Sequence, residues 1–232
     1  MAQDPSTGPA PPALPEVLPV FPLTGVLLLP GTALPLQVFE PRYRNLLEDV
    51  LAAERVFGMI QPFAPRQDNR PLPGAERETP ELYGAGCAGY VEHSEQDPDG
   101  RYLIRLRGRR RFRVVEELPL HRGYRRIRAD YGAFPQDGDP PGDFRCERER
   151  LTAALMAYGK NRGMEIGAER IAPLSDLDLI DSAATGLPFH PSEKQALLEA
   201  PTLAERASVL LRLLELGGQP PSEGAEDSGP VN

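Results

Sequence analysis

The chain has 232 residues, a formal charge of −8, a hydrophobic fraction of 40% and two cysteines. That length allows one to two domains with a substantial core, and two cysteines exclude a disulfide framework and suit a reducing compartment. No Lys or Arg precedes Arg42, no uninterrupted apolar h-region follows the start, and no run reaches membrane-span length, so a cytoplasmic protein without membrane contact is expected.

The ends differ from the rest. Residues 1–16 hold Pro5, Pro9, Pro11, Pro12 and Pro15, and residues 217–232 are mostly Gly, Pro, Ser and acid. Neither stretch can bury enough apolar surface to offset chain entropy, so both are predicted to be disordered tails. Between them the charge is uneven. Residues 101–128 carry eleven arginines against Glu116 and Glu117, a local charge of +9, which leaves −17 for the remainder.

The ordered chain opens with Leu18-Pro19-Val20-Phe21-Pro22-Leu23, turns at Thr24-Gly25 and continues as an apolar run to Gly31. A second run, Leu34 to Phe39, leads through Glu40-Pro41-Arg42 into a helix. Tyr43, Leu46, Leu47, Val50 and Leu51 recur at i, i+3, i+4, i+7 and i+8, one stripe on a 3.6-residue period. Pro41 suits the first turn of that helix, where its missing N–H would be unpaired anyway. Phe39 and Tyr43 are expected in the core, with Glu40 accepting an arginine such as Arg44 or Arg111 to fix the strand-to-helix corner. Val56 to Ile60 reads as a further strand.

Residues 63–80 form a polar loop dense in Pro, Gly and charge, read as a mobile excursion with a binding lid as the alternative. Residues 82–92 read as a strand, and Glu95 to Gly100 carries turn chemistry. From Arg101 to Arg107 the pattern alternates, with Tyr102, Ile104 and Leu106 on one side and arginines on the other; Leu103 breaks the polarity of that second side. Gly108 marks a bend or bulge, residues 111–115 resume as a strand with Phe112 and Val114 inward, and residues 124–131 add another. Short strands joined by turns point to a small barrel. Residues 136–143 read as a linker.

Beyond it the period changes to helical. Residues 144–161 are predicted as one helix with Leu151, Ala154, Leu155 and Tyr158 inward, and residues 173–184 as an acidic second with Leu174, Leu177 and Ile180 buried. Pro191 opens a short helix whose cap is either His190 or Ser192. Thr202-Leu203-Ala204-Glu205 has capping-box spacing, and the helix it starts buries Leu203, Ala207, Leu210, Leu211 and Leu214 before ending at Gly217-Gly218.

Five phrases stand in one order and spacing: Phe21-Pro22-Leu23, Leu29-Pro30-Gly31, Leu34-Pro35-Leu36, Phe39-Glu40-Pro41-Arg42-Tyr43 and Gly58-Met59-Ile60-Gln61-Pro62. Gly86-Cys87-Ala88-Gly89, Asp99-Gly100-Arg101-Tyr102 and Gly-Arg-Arg-Arg-Phe-Arg at 108–113 continue them. Together they resemble the amino-terminal substrate-binding domain of Lon proteases over roughly residues 17–216, most closely the bacterial versions consisting of that domain alone. The resemblance implies an α+β protein: a PUA-like β-barrel, here residues 17–134, followed by a helical subdomain, residues 142–216. It also implies engagement of protein substrates.

Signatures of chemistry are missing from the sequence. There is no Gly-x-x-x-x-Gly-Lys-Ser/Thr loop, no Gly-x-Ser-x-Gly elbow and no Ser-x-x-Lys pairing. His93, His121 and His190 lie far apart and outside metal-ligand spacings. Cys87 reads as a small core residue and Cys146 as an unremarkable one. No catalytic activity, cofactor or metal is therefore expected. The expected function is binding of a protein or of unfolded peptide segments, through apolar grooves or a strand edge. The alternative is a nucleic-acid-binding module that uses the arginine-rich hairpin on phosphates. Arg105, Arg107, Arg109 and Arg110 are the candidate partner-binding residues, weighed against a solvated, ion-paired face.

Overall fold

The computed structural model describes residues 13–63, 80–138 and 144–218. Residues 1–12 and 219–232 of the predicted tails, the loop after Phe63 and most of the predicted linker lie outside these residues, whereas Pro15 and Glu16, expected in a disordered tail, accept hydrogen bonds from Tyr131 and the Ala129 amide. The described residues fall into two compact units. One holds the residues up to 138 together with Pro188–Leu198, and the other holds the remaining helical residues on either side of that segment. Pro188–Leu198, which the sequence pattern groups with the helical region, thus belongs with the barrel.

The first unit is a six-stranded sheet: β1 (Val17–Pro22), β2 (Ala33–Val38), β3 (Val56–Pro62), β4 (Leu82–Gln96), β5 (Tyr102–His121) and β6 (Tyr124–Asp130). Their order is β2-β5-β4-β3-β1-β6, and a further pairing of β5 with β6 closes the ring. β1 and β3 run parallel and every other pair is antiparallel. The two strands expected on either side of Gly108 are one strand of 20 residues. Its first half pairs with β2 and its second half with β6, so β5 is the strand that carries the sheet around the barrel.

Gly108 lies at a bulge, as its position suggested. Gly89 faces Gly108 while Ala88 faces Arg110, which leaves Arg109 as the extra residue. Gly108 also lies where a β-carbon would come within 2.0 Å of the Leu29 carbonyl oxygen, so only glycine lets the Leu27–Leu29 run pass this close to β5. Inside the ring Leu18, Val20, Val56, Ile60, Ala88, Phe112, Ile127 and Ala129 form one apolar cluster. Burial of each large side chain there stabilises by roughly 1.5–3 kcal/mol relative to exposure.

Helix α1 (Pro41–Leu51) buries Tyr43, Leu46, Leu47 and Val50 of the stripe its periodicity predicted, while Leu51 is only half-buried. Phe21 and Tyr43 pack with ring centroids 4.1 Å apart. The corner before the helix differs from expectation. Phe39 is 61% exposed and not core. Glu40 pairs with neither Arg44 nor Arg111; it accepts from Arg42 in an exposed pair at 2.8 Å. Glu40 is the N-cap residue of α1, with extended backbone, and Phe39 lies one residue past the end of β2.

Arg111 has a different task. Along β5 neither β2 nor β6 covers the stretch between residues 107 and 113. A 3-10 turn at Pro135–Gly138 fills that gap, although sequence composition assigned most of it to a linker. Asp137 accepts the Arg111 backbone amide at 2.8 Å and its guanidinium at 2.7 Å, with both side chains almost wholly buried. Phe134 lies under the same guanidinium at 4.3 Å.

Helix α5 (Pro191–Glu199) is held within this unit by satisfied buried polar groups, as a buried amide or charge requires. Gln61 donates to the Gln195 side chain and the Pro191 carbonyl, and Gln195 donates to the Ala85 carbonyl. Lys194 reaches the Gly25 carbonyl at 2.9 Å, and Arg111 reaches that of Leu198 at 2.8 Å. Burial pushes the Lys194 pKa down. His190 takes the cap of α5: its ring accepts the Ser192 amide at 3.4 Å, and Glu193 reaches back to its own amide at 2.7 Å.

The second unit contains α2 (Arg148–Asn161), a short α3 (Ala168–Ile171) that the pattern did not reveal, α4 (Asp176–Gly186) and α6 (Leu203–Gly217). α2 buries Leu151, Leu155 and Tyr158. α4 starts at the Ser175 cap, later than expected, and buries Leu179, Ile180, Ala183 and Ala184; Leu174 and Leu177 are only half-buried. The Thr202–Glu205 capping box is present as predicted, and α6 buries Leu210 and Leu214 together with Arg206, which bonds Asp181 at 3.1 Å.

Candidate binding face

The alternation of β5 turns Ile104 and Leu106 inward and leaves Leu103, Arg105 and Arg107 on the outer side. The register then fixes their neighbours. On β2, Gln37 lies opposite Leu103 and Pro35 opposite Arg105; on β4, Glu95 and His93 lie opposite the same two residues. Phe39 follows one step past β2 on the same alternation as Pro35 and Gln37. Leu103 is 54% exposed on this three-stranded face, and Phe39, just past the end of β2, is 61% exposed. Exposed large apolar side chains gathered on one face mark an interaction surface more often than scattered ones do.

Beside Leu103 lies an ion-pair group. Arg107 donates to Glu92 at 2.9 Å and to the Gly31 carbonyl at 2.9 Å, and Arg105 approaches the same carboxylate at 3.3 Å. The hydrogen bond from Arg107 holds the Glu92 carboxyl below its usual range. Of the four candidate arginines, this face therefore unites Arg105 and Arg107. Arg109 is the extra residue of the bulge, and the Arg110 guanidinium lies beside Gly138, away from Leu103.

Five further arginines of the basic segment also face carboxylates. Arg101 faces Asp99, Arg111 faces Asp137, Arg122 faces Glu48 and Asp49, Arg125 faces Glu117, and Arg128 faces Glu16 and Glu116. Part of the +9 of the sequence is thus answered from outside the segment, by Glu16, Glu48, Asp49, Glu92, Asp99 and Asp137. At the tip of the β5–β6 hairpin, Arg122 and Tyr124 both engage Asp49 of α1. Burial and that hydrogen bond push the Tyr124 hydroxyl up to about 12. This cluster ties the hairpin to α1 and has no open coordination or nucleophile. The histidines stay apart: His93 on β4, His121 at the hairpin and His190 on its cap. Among the described residues, no group of three or more His, Cys, Asp or Glu is placed to hold a metal ion.

Sequence reasoning placed Phe39 in the core and so missed it. Leu103 carried the available signal, an apolar residue on the polar side of an alternating strand.

The fold is an α+β module with a near-closed six-stranded sheet followed by a helical region. The sequence comparisons make the family explicit. Residues 17–215 match the ATP-dependent protease La (LON) substrate-binding domain, and the chain belongs to that family. It is 29% identical over 213 residues to Lon protease 2 of Thermus thermophilus, covering 87% of this chain and 24% of that protein. It is 28% identical over 222 residues to Lon protease 2 of Myxococcus xanthus, covering 90% and 25%. The chain thus spans about a quarter of the length of these relatives. Among solved structures, the Lon N-terminal domain protein from Xanthomonas campestris superposes with a TM-score of 0.58 at 25% identity, covering 84% of this chain and 97% of that one. The N-terminal domain of a Mycobacterium avium complex Lon protease has the same fold, with a TM-score of 0.53 at 20% identity. No helix among the described residues is long and apolar enough to cross a membrane.

Proposed function

We propose that this chain is a non-catalytic module that binds protein partners, in particular unfolded or extended segments, through the outer face of β2, β5 and β4. The observation that carries this reading is the exposure of two large apolar side chains, Leu103 on β5 and Phe39 just past β2, each more than half exposed. Membership in a substrate-binding family and the match to about a quarter of each relative support it. The nucleic-acid alternative gains less support, because Arg105, Arg107, Arg111, Arg122, Arg125 and Arg128 already face carboxylates.

The test uses a permanently unfolded probe, reduced and carboxymethylated α-lactalbumin, titrated against the wild type and against Phe39→Ser and Leu103→Ser. Neither side chain is in the core, so both variants should melt as the wild type does. Each loses apolar contact worth about 1 kcal/mol or more, so affinity should fall by roughly fivefold or more. Unchanged affinity in both would refute the face, and no binding by the wild type would refute the function. A duplex or single-stranded RNA bound with steep salt dependence would favour the alternative.

A further inference from the structure

Among the described residues, β2 is the one strand in the sheet order with a single neighbour; the other five belong to the closed ring. Its hydrogen-bonding polarity can be read from one contact. Thr32 accepts the Gly108 amide at 2.9 Å, so its carbonyl faces β5. In an antiparallel strand the N–H and C=O of one residue point the same way and successive residues alternate. Leu34, Leu36 and Val38 therefore direct their backbone groups at β5, whereas Ala33, Pro35 and Gln37 direct theirs away from the sheet. Pro35 agrees with this assignment, since a proline is tolerated in a strand only where no ladder donor is needed. The outward row offers the amides of Ala33 and Gln37 and the carbonyls of Ala33, Pro35 and Gln37. Its side chains are exposed, and Phe39 stands at its end.

We propose that β2 binds its partner by strand addition: an extended segment of an unfolded partner protein lies antiparallel along this edge and extends the sheet by one strand. The inference rests on the binding reading above and specifies its mode. The backbone row dictates an extended chain as occupant, because only another strand presents donors and acceptors at matching spacing. The segment sets carbonyls against the Ala33 and Gln37 amides and an amide against the Pro35 carbonyl, and it lays an apolar side chain beside Phe39. A second copy of this chain fits poorly. Antiparallel pairing of β2 with itself at full overlap sets Pro35 against Pro35, where neither supplies a donor. Proline on an edge blocks self-association while leaving carbonyls for a partner that brings its own amides.

The experiment compares Gln37→Pro with Gln37→Ala in titrations of reduced, carboxymethylated α-lactalbumin. Both remove the side chain, but only Gln37→Pro removes the outward amide, and neither touches a hydrogen bond to β5. Affinity should be roughly three- to tenfold weaker for Gln37→Pro than for Gln37→Ala, which already carries the cost of the lost side chain, the difference being the effect of one lost hydrogen bond. Equal affinity of the two variants overturns strand addition and leaves the apolar face standing. Absence of binding by the wild type overturns the function itself. Hydrogen exchange covers the case in which Gln37→Pro fails to fold. In the wild type, the Ala33 and Gln37 amides should become protected when the probe is added, and unchanged exchange overturns the proposal. Protection of the same amides by raising protein concentration without probe overturns it in favour of self-pairing.

Discussion

Asp137→Ala probes the joint on which the barrel depends. Arg111 and Asp137 are among the most buried charged side chains in the unit, and Asp137 meets both the guanidinium and the Arg111 backbone amide. Deleting the carboxylate strands an arginine charge and leaves an amide without its acceptor. Removal of one partner of a buried pair costs about 3–5 kcal/mol. For a unit of this size, each kcal/mol moves the melting temperature by about 2–4 °C, so a fall of roughly 10 °C is expected. The carbonyl of Leu198 and the ring of Phe134 remain to hold the arginine and set the lower end of the range. Urea unfolding followed by circular dichroism measures the change. Replacing both members, as Arg111→Met with Asp137→Leu, should cost less than Asp137→Ala alone, because no uncompensated charge remains. A loss below about 1 kcal/mol for Asp137→Ala, or a double variant worse than the single, would refute the assignment of this pair as the seam.

Three further outcomes follow from single contacts. Gly108→Ala should destabilise by about 2 kcal/mol or more, since its β-carbon would meet the Leu29 carbonyl at 2.0 Å, whereas Gly84→Ala, with only the end of Arg113 at 3.8 Å, should change the denaturation midpoint little. Glu40→Ala should alter thermal stability by no more than about 1 kcal/mol, because its pair with Arg42 is exposed; this reverses the larger effect that a buried corner would give. In the helical unit, the Cys146 amide and then Arg148 hold the Asp176 carboxyl below its ordinary value of 3.8. A depressed folded pKa gives stability that is complete above the unfolded value and lost as pH falls through the folded one. Melting curves from pH 5 down to 2 should therefore decline less steeply for Asp176→Asn than for the wild type.

Much of the fold is legible where neighbours in sequence decide the outcome. The stripe Tyr43, Leu46, Leu47 and Val50 is buried as its period requires, and the capping box at Thr202 and Glu205 forms because both partners lie within one turn. The inward set Ile104 and Leu106 follows from period two. What could not be read lies across long separations or at element ends. Asp137 looked like linker because its partner is 26 residues away, on a strand whose gap is visible only once the sheet is assembled. The segment Pro188–Leu198 joins the barrel through Gln61 and Arg111, residues 134 and 87 positions from their partners on α5. Phe39 looked like core because it ends an apolar run, but the run stops being a strand one residue earlier.

The arginine-rich strand pair shows why charge in a sequence is a poor guide to the binding surface. Eleven arginines drew attention to residues 101–128, yet Arg111 closes the barrel, Arg125 bonds Glu117 and the Pro80 carbonyl, and Arg122 fastens the hairpin to α1. Those groups already have partners, and an incoming phosphate would have to displace each carboxylate before gaining anything. The neighbouring edge has the opposite balance. Among the described residues, no strand pairs with the outward amides of Ala33 and Gln37, and Phe39 and Leu103 are more than half exposed. A ligand that satisfies amides and covers hydrocarbon displaces only water from this edge, and an extended polypeptide does both at the spacing of β2. The proposed binding edge is therefore an uncharged strand lying beside the arginine-rich one.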